Sequence, residues 1–127
     1  MSHTAYSITG DIEIKADKIA ISRREFPLVL VRDIAPEHLG EVSRILNESQ
    51  PSLGRLFKTL IPRSSHFVNG NTICGSMDAN WILAVYAENH HLKLAFFSGS
   101  EEPNLDYEVV RVGHELCGTY WYMPPEK

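Results

Sequence analysis

The chain has 127 residues, 43% of them hydrophobic and 22% charged, with a net charge of −4. That is the size of one ordinary domain, with enough apolar surface to close a core, so wholesale disorder is excluded. The acidic balance argues against general affinity for nucleic acid, and no apolar run nears the ~20 residues that span a bilayer.

Charge is unevenly spread. Residues 1–63 hold nine basic and eight acidic groups, whereas residues 64–127 hold three and eight. No acid occurs between Pro51 and Met77, a window that contains Arg55, Lys58 and Arg63. Those three are candidates for a locally basic interaction surface, set against the plainer reading of a solvated helix face. The opening residues, Met1 to Tyr6, show neither a basic n-region nor an apolar h-region, so a cytoplasmic location is expected. Two cysteines, Cys74 and Cys117, are too few for a disulfide framework. They are expected as reduced thiols acting as small buried hydrophobes.

The first elements read as strands. Tyr6–Ile14 alternates imperfectly around Gly10, and KIAIS over 18–22 and FPLVLV over 26–31 are rich in β-formers. Pro27 suggests that the latter strand lies at a sheet edge. The period then changes. Leu39, Val42, Ile45 and Leu46 recur at helical spacing behind Asp33 and Ala35-Pro36, with Glu37 and Glu41 placed to suit the helix dipole. Pro51 interrupts the pattern, after which Leu53, Leu56, Phe57, Leu60 and Ile61 match an amphipathic helix that Pro62 ends. Two consecutive helices are therefore expected.

Beyond His66 everything reads as strand. Asn69-Gly70 between short apolar arms predicts a hairpin over 67–74. WILAVYA and HLKLAFF, separated by Glu88-Asn89-His90, predict a second hairpin over 81–97. Both faces of its first arm are apolar, so that strand should lie at the centre of a sheet. A polar loop over 98–106 is the expected mobile segment, and Tyr107–Val112 and Leu116–Met123 read as a closing strand pair. The expected fold is a single α+β domain: a mainly antiparallel, strongly curved sheet of about seven to nine strands packed on two consecutive amphipathic helices.

Candidate chemistry is sparse. There is no phosphate-binding glycine loop, H-E-x-x-H, C-x-x-C or G-x-S-x-G signature. The run from Gly113 to Gly118 carries His114, Glu115 and Cys117, but strand geometry sends His114 and Cys117 to opposite faces. Ser64-Ser65-His66 sets hydroxyls beside an imidazole in sequence, which is not the spatial arrangement a nucleophile needs. His90-His91 reads as an exposed turn. Tyr120 and Tyr122 share one face and Trp121 takes the other, either as core or as a binding surface.

The leading expectation is a small protein-binding or regulatory chain, an inhibitor, adaptor or chaperone-like partner, acting through a sheet edge or aromatic face, that forms a homodimer or captures a protein partner. The alternative is a small-molecule-binding domain or enzyme whose pocket is lined by His66, His114, Cys117, Tyr120 and Tyr122. Nucleic-acid binding would require Arg23, Arg24, Arg55, Lys58 and Arg63 to form one stripe. No cofactor, metal or membrane association is expected.

Overall fold

A computed structural model describes residues 12–49, 51–67, 72–87 and 91–122. Seven strands form one sheet in chain order: β1 (Ile12–Ile14), β2 (Lys18–Ile21), β3 (Arg24–Asp33), β4 (Pro51–Ile61), β5 (Ala79–Ala87), β6 (Leu92–Phe97) and β7 (Leu116–Tyr122). Every neighbouring pair is antiparallel. Among the described residues, two short helices interrupt the meander, α1 (Pro36–Ile45) and α2 (Tyr107–Val112).

Side-chain alternation divides the core into two clusters. Ile19, Ile21, Phe26, Leu28, Phe57, Ile82, Leu94, Phe96, Tyr120 and Tyr122 gather on one face, here the inner one. These residues come from β2 through β7, so the sheet must curl for all of them to share one interior. Leu56, Trp81, Leu83, Val85, Ala95 and Phe97 form the outer cluster with Val42, Ile45 and Leu46 from α1 and its end. β5 contributes to both, which accounts for a strand that is apolar on both sides.

The central hairpin forms as predicted, with Trp81 opposite Phe97 and Tyr86 opposite Leu92. β2 and β3 also form where the β-formers cluster. They join through Ser22 and Arg23, whose φ angles of 51° and 71° place two non-glycine residues in the left-handed region that a tight two-residue hairpin requires. Helix α1 begins with Pro36 in its first turn, carries Glu37 near its N-terminus and Arg44 in its last turn, and is closed by Asn47 at φ 52°.

Pro27 does not mark a sheet edge, because β3 pairs with both β2 and β4, and three further expectations are corrected. The second helix does not form, because Pro51–Ile61 is β4, the strand between β3 and β5. Its apolar residues split between faces: Leu56 joins the outer cluster, while Phe57 and Ile61 join the inner one. A strand that is covered on both faces along part of its length produces the same apolar spacing as an amphipathic helix. Gly54, unfavourable inside a helix, is needed here because a Cβ would lie 3.0 Å from Leu39 Cδ1 and 3.1 Å from Ile34 Cγ1.

The second correction is Tyr107–Val112, which is helical. The Asp106 side chain accepts a hydrogen bond from the Glu108 N–H at 2.9 Å, and Arg111 pairs with Glu108 at 3.0 Å one turn away. The third is that Cys74 and Cys117 are joined in a disulfide and are not thiols. The sheet's curl brings β7 beside the connection from β4 to β5, and a separation of 43 residues hides that meeting in sequence. The predicted strand at Tyr6–Ile14 is described only over Ile12–Ile14. The Asn69-Gly70 turn and the turn at Glu88-Asn89-His90 lie outside the described residues.

Loop 98–106 is anchored at several points. Trp81 Nε1 donates to the Gly99 carbonyl at 2.9 Å, the Gly99 N–H donates to Asn80 Oδ1 at 3.1 Å, and Arg32 meets Glu102 at 3.4 Å. Among the described residues, no helix is long and apolar enough to cross a membrane.

Candidate functional site

The predicted pocket residues do not assemble into one site. His66 is exposed in the connection after β4, and its carbonyl accepts a hydrogen bond from Arg24 Nη1 at 3.0 Å. His114 is exposed on the turn between α2 and β7, beside a cavity of about 100 Å³ lined by Phe97, Pro103, Val109, Val110 and Leu116. Cys117 is spent in the disulfide. Tyr120 and Tyr122 lie in the inner core, where the Tyr120 ring meets Phe96 edge-on at 5.6 Å. Burial pushes the Tyr120 hydroxyl pKa upward. Cys117 packs against the same cluster as the two tyrosines, whereas the two histidines stay outside it. Trp121 projects away from the tyrosines, as alternation predicts, and meets His91 edge-on at 4.9 Å.

A larger groove, about 330 Å³, runs between the end of β3, α1 and the segment before α2, over Ile34, Val42 and Leu105. Its polar rim already serves the fold. Arg32 pairs with Glu102, Glu41 accepts from the Tyr107 N–H at 3.3 Å, and Asp106 caps α2. Arg44 lies 4.4 Å over the Tyr107 ring and links the two helices. Among the described residues, no group of three or more His, Cys, Asp or Glu side chains is placed to hold a metal ion.

The basic residues are separated by the strand geometry. Arg55 and Lys58 would share a helix face, but on β4 they point to opposite sides of the sheet. Arg55 pairs with Asp33 at 3.0 Å. Lys58 stands on the outer face, directly opposite Val29 on β3 and Trp81 on β5. Arg24 folds over the rings of Phe26 and Phe67, at 5.8 and 5.7 Å. The main-chain N–H of Arg63 donates to Asp78 at 2.8 Å. No single basic stripe results.

What the geometry assembles instead is an exposed outer patch on β3 and β4. Val29, Leu60 and Val31 are 60%, 48% and 39% exposed, high values for β-formers in consecutive paired strands. Val29 and Leu60 share the outer face with Lys58, and Val31 sits at the register shift between Leu30 and Arg32. Around them, Lys18 pairs with Glu25 at 3.5 Å and Arg32 with Glu102. The run FPLVLV carried half of this signal in sequence, but assigning Leu60 to a helix's buried side concealed the other half. Comparison of the chain with family models, curated proteins and solved structures finds no match, so the site rests on its own geometry.

Proposed function

We propose that this chain is a protein-binding module that holds its partner against the outer face of β3 and β4. The observation supporting this reading is the contiguous exposure of Val29, Val31 and Leu60 around Lys58 on paired strands. Aliphatic side chains in a row on a sheet face gain free energy when another surface removes them from water. The face succeeds the tyrosine face considered from sequence, because Tyr120 and Tyr122 are consumed by the core. Either a partner protein or a second copy of the chain would be held through such burial. The cytoplasmic location expected from the opening residues would keep Cys74 and Cys117 reduced, and their crosslink weighs against it.

The test is a photoreactive amino acid placed at Leu60 and, as a control, at the exposed Glu37 of α1, in cells that make the protein. Discrete protein adducts at position 60 and none at position 37 are expected. Equal adduct patterns at both positions, or none at position 60, would refute the reading.

A further inference from the structure

We infer that the partner is an acidic protein surface that sets a carboxylate against Lys58 beside aliphatic contacts to Val29 and Leu60. This rests on the proposed contact face and specifies the chemistry that face selects. Lys58 stands where the bare patch, with Val29 60% and Leu60 48% exposed, meets the covered half, where Leu56 and Trp81 are buried. It lies between Val29 and Trp81 across the strands and between Leu56 and Leu60 along its own strand, all on the outer face. Its ammonium stands 5.7 Å from the Trp81 ring centroid. Among the described residues it makes no ion pair, whereas Lys15, Lys18 and Arg32 around the patch are each held by a carboxylate.

A surface that covers both Val29 and Leu60 must also cover Lys58. Taking an ammonium out of water without a counter-charge costs enough to offset the gain from two or three aliphatic side chains. The Trp81 ring supplies only part of the compensation, since a ring quadrupole is weaker than a carboxylate at hydrogen-bond distance. The occupant therefore brings an acid for Lys58 and aliphatic groups for Val29 and Leu60 beside it.

A second copy of this chain meets that requirement poorly. A two-fold contact over the patch would bring a second Lys58 into the interface as well. Glu25 and Glu102, which flank the patch, are already paired with Lys15, Lys18 and Arg32. A nucleic acid would supply anions but little aliphatic surface to cover Val29 and Leu60.

The experiment is selection of random linear peptides, displayed on phage, against the intact chain, with the Val29→Ser/Leu60→Ser variant as the counter-target. Both substituted residues are exposed, and thermal melts check that the variant remains folded. Peptides that bind the chain but not the variant should be enriched in Asp or Glu flanked by Leu, Ile, Val or Phe. Their affinity should fall about thirtyfold or more with Lys58→Met, and equally when the peptide's own acid becomes its amide.

Patch-dependent peptides without acidic enrichment, or with affinity unchanged by Lys58→Met, would overturn the inference and leave the contact face standing. So would a dimer in light scattering that Val29→Ser/Leu60→Ser dissociates. Failure to select any patch-dependent peptide would overturn both the inference and the proposed contact face.

Discussion

Leu56 and Leu60 stand on the same face of the same strand, four residues apart, and live in different environments. Leu56 is fully buried with Leu83, Val85 and the apolar side of α1, whereas Leu60 is 48% exposed beside Lys58. The outer face of the sheet thus has a covered half and a bare half. The division follows from where α1 sits: Gly54, lacking a side chain, lets Ile34 and Leu39 settle directly on β4. Cover by α1, α2 and loop 98–106 gives the first half its share in stability. The second half keeps aliphatic surface that folding does not use, which is why we place function there.

The largest effect expected from this comparison comes from paired truncations. Leu83→Ala, on the covered half, should cost about 2–5 kcal/mol, while Val29→Ala, on the bare half, should stay within about 0.5 kcal/mol. Urea unfolding of both variants checks this, and similar losses would erase the distinction between the halves.

Next in size is the interior that both halves share. Replacing Cys74 and Cys117 by serine releases a crosslink spanning 43 residues and should cost about 2–4 kcal/mol. Thermal melts with and without a thiol reductant read this loss, which reductant should reproduce in the parent chain. A smaller effect belongs to the boundary. Gly54→Ala places a Cβ 3.0 Å from Leu39 Cδ1 and should destabilise by about 1–3 kcal/mol, as a lowered urea midpoint would report.

The smallest effect is alkaline. Burial raises the hydroxyl pKa of Tyr86 and Tyr120 above the ordinary 10.0, although Arg55 opposes the shift at Tyr86. The folded chain therefore keeps these protons to higher pH than the unfolded chain does. Their contribution is complete below the unfolded value and is lost as pH rises through the folded one. Tyr120→Phe should flatten the alkaline limb of a stability–pH curve, and Val29→Ala should leave it unchanged.

Much of this architecture was legible in sequence where one pattern had one meaning. The run from Trp81 to Phe97 is apolar on both faces and broken by a short polar segment, and it forms the central hairpin. Leu39, Val42, Ile45 and Leu46 repeat at helical spacing with Pro36 ahead of them, and α1 forms. The reading failed where one pattern had two meanings. Leu53, Leu56, Phe57, Leu60 and Ile61 fit a helix's buried side, and they equally fit a strand with apolar residues on both faces. Phe57, Thr59 and Ile61, with Gly54, favoured the strand. The Tyr107-Glu108-Val109-Val110 run errs in the opposite direction: its valines suggest a strand, and the Asp106 cap starts a helix. The disulfide was invisible, since only the curl brings Cys74 and Cys117 together. The contact patch depended on the face assignment of Leu60, so it became legible only once β4 was known to be a strand.

The most direct test of the account therefore lies at positions 59 and 60. Single cysteines introduced there, with the Cys74–Cys117 crosslink intact, can be challenged with a water-soluble maleimide under native conditions. A two-faced strand predicts rapid labelling at position 60 and protection at position 59, where Thr59 is buried and its Oγ1 donates to the Pro27 carbonyl at 2.6 Å. An amphipathic helix built on the Leu53–Ile61 stripe would give the reverse, with position 60 protected and position 59 labelled, and that result would contradict both the fold and the patch derived from it.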